Sequence, residues 1–417
     1  MAGIRREHYS FGIRRTTARI AESEVKSIRR SDVVKTGLRL FDGRSIGTAG
    51  AIGSFDPGEL ERRALDSMSC GIEYPWEISG RAARREAAAL EGMGHDTLAD
   101  GAGSFMAALH AKWPDLVFSE NFTVEDDEIS IRNDCGLDLA TSLSSAAVVL
   151  VFRALGSTGI MDGWVSAGPC RRWDADGIRA EFDRFLEAWH NPVDLPPGGR
   201  LPVIFQEASL IYGKLSEELS GHRYGTGASL FSGRMGERLF DERFSLSQSR
   251  IPSADDCPFF DAEGVFHEGY ALPLIEAGVL RAVCTDRRTA ARFGLPHTGS
   301  ATGDYDAIPQ AAADRLRAER CDRTLSDLLG GEPGIFVALA SGGDFTPEGA
   351  FATPVQLAML HDGRRFVGRL PELRISSHLF RMLGEDWIGQ SSDDVSAYCD
   401  SPAMVMRMDV EGARSGV

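Results

Sequence analysis

The chain has 417 residues, with 45 lysines and arginines against 61 aspartates and glutamates, for a formal net charge of −16. Hydrophobic residues make up 43% and charged residues 25%, the balance of a soluble globular chain, which excludes long disorder. An acidic surface repels phosphate and argues against a nucleic-acid or anionic-membrane binder, and the length predicts two or three domains with real cores.

Only four of the cations are lysines, Lys26, Lys35, Lys112 and Lys214. Both cations solvate a surface equally well, so the excess of arginine reads as the coding bias of a GC-rich bacterial genome. The first ten residues lack the apolar core of a secretion signal. The longest apolar run, 146–152, is far short of the roughly 20 residues that cross a bilayer. No export signal and no membrane anchor are therefore expected. Seven cysteines, at 70, 135, 170, 257, 284, 321 and 399, include no C-x-x-C pair. Dispersed and odd in number, they read as reduced thiols, mostly buried, in a cytoplasmic protein.

Leu38 and Leu40 alternate with Gly37 and Arg39, and Asp42-Gly43 then signals a hairpin whose second strand covers 44–49. Asp56 caps a helix with Pro57 at its first position. Leu60, Ala64, Leu65 and Met68 fall on its inner face, and Gly71 stops it. A helix-rich stretch is expected over 81–113, followed by short β segments at 116–118, 129–131 and 146–152. Ile178, Phe182, Phe185, Leu186 and Trp189 mark one face of a further helix that stops at Asn191-Pro192. Pro and Gly density makes 191–200 the best linker. A buried strand at 201–205 and a helix over about 207–219 follow. Later strands are expected at 279–284, 334–340, 355–360 and 403–408, with a hairpin at Asp362-Gly363. Strands and helices mix without βαβ alternation, so the expected class is α+β, a mixed N-terminal domain plus a β-rich C-terminal domain. The expected divisions are 1–114, 115–195 and 196–417.

Most searches for chemistry come back empty. Neither Lys35 nor Lys214 has a P-loop context, and Gly47, Gly50 and Gly53 are not spaced as a dinucleotide fingerprint, reading instead as turns in a tight hairpin. Asp174 and Asp176 fail as a calcium loop and read as the acids of a capped helix. Gly227-Ala228-Ser229 fails as a nucleophile elbow. His267-Glu268 has no second histidine one helical turn on, and His222 reads as a hydrogen-bonder in a Gly-rich turn.

Two stretches are more specific. One is Cys257-Pro258-Phe259-Phe260-Asp261-Ala262-Glu263-Gly264, followed by Gly278-Val279-Leu280; the other runs from Asp286 through Ala291-Arg292-Phe293-Gly294 to Thr298-Gly299-Ser300-Ala301. Together they resemble the PFDDEG … GVL … D … AR+LG … TGNA pattern of the PmbA/TldD family. The 37–51 hairpin and the closing 395–405 segment are similar to that family's two ends, so the likeness spans about 33–411. What the resemblance implies is proteolysis. TldD-like chains carry H-E-x-x-x-H on a helix and bind zinc, and they pair with TldE (PmbA) chains that lack it, giving a heterodimeric metallopeptidase for unfolded or leader peptides. In this chain the corresponding positions are Gln206, Glu207 and Ile211. An amide and an aliphatic chain cannot replace two imidazoles on Zn²⁺. Glu207 at the general-base position then has no metal-bound water to activate, and reads as a helix N-terminal acid. Cys399 lies near the family's cysteine ligand but outside a matching motif, and is expected to be structural.

The resemblance thus implies a TldE-like subunit without catalytic, cofactor or metal residues of its own. Zinc is expected in a TldD-like partner, and no nucleic-acid or membrane partner is expected. Two rivals are a homodimeric, non-hydrolytic peptide-binding protein of the same fold and a hydrolase with a scattered Cys/His site of its own.

Overall fold

A computed structural model describes residues 3–206, 208–398 and 401–412. The chain opens with a long hairpin, β1 (Arg5–Ala21) and β2 (Glu24–Phe41), paired along its whole length. Its turn uses positive φ at Glu22 and Ser23, the geometry of a type I′ turn without its usual Asn or Gly. Ser23 is clamped instead: its N–H donates to Phe118 O at 2.9 Å and its Oγ accepts from Phe118 N at 3.1 Å. The second turn is the expected Asp42-Gly43. Asp42 Oδ1 accepts from the N–H groups of Arg44 and Ser45, Gly43 takes φ +85°, and β3 (Ile46–Ile52) returns.

Helix α1 (Pro57–Met68) begins as expected, with Asp56 Oδ1 accepting from Gly58 N at 2.8 Å. It lies directly on Gly47, where a Cβ would meet Met68 Cβ at 2.7 Å. Gly47 and Gly50 are therefore strand positions that admit close packing, not turn glycines; Gly53, at φ +74°, is a turn.

The helix-rich stretch expected over 81–113 opens with a strand. β4 (Ala82–Ala88) runs parallel to a later strand, and only α2 (Leu98–Lys112) is helical. Helix propensity loses to tertiary contact at Arg84, whose guanidinium lies 4.8 Å from the Phe259 ring and 4.9 Å from that of Tyr270. The short β segments expected next are two long strands, β5 (Leu116–Asn133) and β6 (Leu137–Ala154). The acidic run 125–128 makes no turn. Glu125 and Asp126 instead face Arg15 and Arg14 across β1, where opposite charges support a sheet.

β7 (Gly163–Cys170) pairs with β6, and among the described residues these seven strands form one sheet. The division expected at residue 114 meets that sheet, since β5 beyond it pairs with β1 before it. α3 (Ala175–Trp189) packs beside α2, presenting the predicted face of Ile178, Phe182, Phe185, Leu186 and Trp189. Asp174 caps it through Gly177 N at 3.1 Å.

After an irregular 190–199 come β8 (Arg200–Phe205) and α4 (Ser209–Glu218). β8 pairs in parallel with Gly334–Ala340 and antiparallel with Pro402–Gly412. The latter continues through Leu373–His378 to Ala350–His361, which pairs back onto Gly334–Ala340 and closes a β-barrel. Val203, Ile335, Val355, Ile375 and Met406 fill it, each fully buried. The expected strand at 279–284 is confined to Val279–Leu280, because Cys284 N–H bonds to Leu219 O and Cys284 O to Gly221 N–H instead. The architecture is α+β, an N-terminal antiparallel sheet with helices and a C-terminal β-barrel. One apolar cluster runs from Phe118 and Phe152 of the sheet to Phe336 and Val405 of the barrel.

Candidate functional site

The end of β8 opens into a cleft of about 960 Å³ between the barrel and the sheet domain. One wall is α3, through Arg184, Phe185 and Ala188; another is the edge strand β7, through Trp164 and Ser166. The floor is the inner end of Gly334–Ala340, and Trp164 Nε1 donates to Ala338 O at 2.8 Å. Gln206 lines the cleft, half-buried, where β8 gives way to α4. Ile211, one turn into α4, also reaches it, yet is only 1% exposed and belongs to the barrel core. The structure thus brings both positions to one cleft. Glu207 and Cys399 lie outside the described residues.

The titratable groups of the cleft are committed elsewhere. Glu181 accepts from Ser396 Oγ at 2.7 Å and from Ala397 N at 2.8 Å, so it anchors the loop before Pro402–Gly412. His361 is buried edge-on against Phe366, and its Nδ1 accepts from Gly363 N at 3.0 Å. Burial holds its pKa below the usual imidazole value. Arg184 and Arg364 stand exposed at the rim. Among the described residues no group of three or more His, Cys, Asp or Glu side chains is placed to hold a metal. The donors at the zinc-motif position do not fit zinc, since an amide and a packed aliphatic chain offer no imidazole. What remains is an apolar trough with Arg184, Arg364 and Arg365 at its rim beside Glu187, which pairs with Lys112.

α4 is pinned from behind. Lys214 Nζ lies 2.7 Å from Glu218 Oε1, with both groups buried, and Glu218 Oε2 accepts from Leu230 N at 2.5 Å.

The ordered motifs lie elsewhere, at the junction of barrel loops and sheet. Asp261 Oδ1 accepts from Glu263 N and Val265 N, and its Oδ2 from Ala301 N at 2.9 Å, joining the two motif stretches through one carboxylate. Glu263 accepts from Tyr74 Oη at 2.6 Å, lies 3.0 Å from His297 Nε2 and 3.3 Å from the Arg287 guanidinium. Burial pushes Glu263 up, but His297, Arg287 and Tyr74 outweigh it and hold the carboxyl low; burial and Glu263 itself push Asp261 up. Asp286 caps the helix Arg287–Phe293 through Thr289 N. His267 bonds to Thr298 O at 3.0 Å, so this histidine serves the junction. His222 lies in the short helix Gly221–Thr226 rather than a turn, with its ring edge on Phe293.

Fold and cleft together define an α+β protein that joins an antiparallel sheet with helices to a closed β-barrel, with Gln206 and Ile211 at the cleft between them. Residues 198–412 match the PmbA/TldA metallopeptidase C-terminal domain, and the chain belongs to the PmbA/TldD family. A zinc metalloprotease TldD homolog of Saccharolobus solfataricus is 25% identical over 224 residues, 51% of this chain and 49% of that protein. The match thus spans about half the length of that relative. TldE of Thermococcus kodakarensis superposes with a TM-score of 0.79 at 18% identity, covering 98% of this chain and 97% of that one. A putative modulator of DNA gyrase from Thermotoga maritima gives 0.78 at 17% identity over 98% and 96%. At these identities the two structures speak for the fold alone.

Proposed function

We propose that this chain is the TldE-like, non-catalytic subunit of a heterodimeric TldD/TldE zinc metallopeptidase, and that it forms one wall of the chamber that admits unfolded or leader peptides. The observation that carries this is the pairing of Gln206 and Ile211 at the mouth and base of one cleft, where the family's zinc-binding chains place histidines. The partner supplies the metal, and this chain supplies surface. Its apolar floor and the guanidinium groups of Arg184 and Arg364 hold an extended peptide without hydrolysing it. The reading places the protein in the cytoplasm. Cys70, Cys135, Cys257, Cys284 and Cys321 are unbridged thiols, and no helix of the described residues is long and apolar enough to cross a membrane.

Elemental analysis tests this directly. Zinc is measured per chain on the protein purified alone and again after coexpression with a TldD-like chain. The expected result is none alone and about one per heterodimer. Stoichiometric zinc on the lone chain, or peptide hydrolysis by it, would overturn the assignment.

A further inference from the structure

A second cavity, of about 210 Å³, shares no lining residue with the cleft and sits where the N-terminal sheet meets the family's motif loops. Its floor is one face of that sheet. Lys35 on β2, Phe11 on β1 and Ile129 on β5 stand directly in register, and Asp127 lies two residues along β5 on the same face. Phe260 and Ala262 from one motif, Ala301 and Thr302 beside the other, and the loop at Tyr305 close it from above, with Arg250 at its side.

Most of the charges here neutralise one another. Arg250 lies 3.3 Å from Asp314, and Asp256 pairs with Arg171. Three groups stay unmet among the described residues. The Lys35 ammonium has no ion pair or hydrogen bond and sits between the Phe11 and Tyr305 rings, at 5.9 and 5.8 Å. Asp127 Oδ1 is buried without a partner. Arg250, only 8% exposed, buries its Nε with none either. A buried donor or acceptor left unsatisfied costs about 1–3 kcal/mol, so an occupant that meets Asp127 Oδ1 and the Arg250 Nε–H is favoured, and the half-buried Lys35 ammonium adds a cation to the same cavity.

The unmet groups have opposite signs, so a simple anion or a simple cation would satisfy one side only. Space narrows the choice further. The cavity holds the volume of roughly seven waters at ~30 Å³ each, below the ~300 Å³ at which drug-sized pockets begin. Two strand spacings and one two-residue step separate the Cα atoms of Lys35 and Asp127 by about 12 Å. The Lys35 Nζ stands 5.9 Å from the Phe11 ring on the intervening strand, so its ammonium and the Asp127 carboxyl face one small cavity from two sides.

We propose that this cavity binds a free α-amino acid, its carboxylate on Lys35 and the Arg250 Nε–H, its ammonium on Asp127, and its side chain against Phe11 and Phe260. Burial, with Glu125 and Asp256 nearby, holds the Asp127 carboxyl up at about 7, and a ligand ammonium reverses that by stabilising its charge. The site joins sheet to motif loops, so occupancy raises the stability of the whole chain. It is independent of the peptidase-subunit reading, since neither zinc nor a partner enters it.

The test uses the full chain without a partner. Calorimetric titration and thermal unfolding are run with each standard L-amino acid, and with acetate and methylamine as single-charge controls, all at about 10 mM. The expected result is at least one amino acid with a Kd of about 0.1 mM or tighter, together with a raised Tm, and neither control binding within about tenfold of it. Lys35→Met and Asp127→Asn each weaken that binding by at least about tenfold, while circular dichroism and the ligand-free Tm show the variants folded. The proposal is overturned if no amino acid binds, if acetate or methylamine binds as tightly, or if both folded variants bind like the native chain.

Discussion

Gly37 and Gly50 face each other across β2 and β3, and the loop at Tyr305–Asp306 lies flat against them. A Cβ on Gly37 would stand 2.6 Å from the Tyr305 carbonyl carbon and closer still to its oxygen; one on Gly50 would stand 2.5 Å from Tyr305 Cε2. Neither glycine has positive φ, so Gly37→Ala acts through space alone. The carbonyl oxygen, nearer than its carbon, sets the displacement: restoring ordinary contact requires the loop backbone to retreat by more than about 1.5 Å, and overpacking of this kind costs about 1–3 kcal/mol. The upper end applies, because a main-chain atom cannot swing aside like a flexible side chain. At ~2.1 cal/mol/K per residue, the unfolding entropy of a chain this long is about 0.9 kcal/mol/K, taking it as one cooperative unit. The expected fall in Tm is therefore about 2–3 °C, read by differential scanning calorimetry. Gly213→Ala is the matched control: Gly213 sits mid-α4, exposed, with nothing within 4 Å of its added Cβ. It gains about 0.5–1 kcal/mol of helix propensity and raises Tm by about 1 °C. A Gly37→Ala protein with native Tm, beside a Gly213→Ala protein shifted as expected, would refute the packing argument.

Lys214→Met leaves Glu218 buried with only Arg223, 3.8 Å away, as a cation, and loses about 3 kcal/mol in urea unfolding; Glu218→Gln in the same chain recovers part of it. His361 has a folded pKa below its unfolded value near 6.5, so between the two the unfolded chain binds more protons and stability falls as pH drops. Tm should decline from about pH 7.5 to 5.5, and less steeply in His361→Asn, whose amide oxygen can still accept from Gly363 N. Ile211→His puts an imidazole into the barrel core, costs about 2–4 kcal/mol by the same urea assay, and gains no zinc by elemental analysis, even combined with Gln206→His.

Elements with local chemistry were legible in the sequence. Asp56-Pro57 and Asp174 mark helix starts through side-chain caps, Asp42-Gly43 marks a turn, and the stripe from Ile178 to Trp189 marks a buried face. What tertiary contact decides was not. Residues 82–88 carry helix-forming alanine and arginine, and it is pairing with β6 together with the rings of Phe259 and Tyr270, 175 and 186 residues on from Arg84, that holds them in a strand. The first hairpin went unseen because Glu22 and Ser23 reach positive φ through contacts with Phe118, with no Gly to announce it. The positions of Gln206 and Ile211 were legible through the motif, while the cleft around them was not: Trp164, Phe185 and Ala338 come from three distant segments. The small cavity left no signal, since register alone sets Lys35 and Asp127 on one face.

The motifs that identify this family from sequence are not the ones that would bind metal. Asp261 ties its own loop to Ala301, Glu263 gathers Tyr74, Arg287 and His297, and Gly37 and Gly50 let the loop beyond Ala301 lie on the sheet. All of these fix how barrel loops meet the N-terminal sheet, and none lines the large cleft. A carboxylate with backbone donors on both oxygens tolerates few substitutes, because each exchange leaves a buried N–H unmet. Gln206 and Ile211 are under a different constraint: neither bonds to the junction among the described residues, and Ile211 is held by apolar packing in the barrel core. The junction is therefore held by groups that answer to one another across sheet and barrel, and a change at Gln206 or Ile211, which line the cleft instead, leaves those bonds in place.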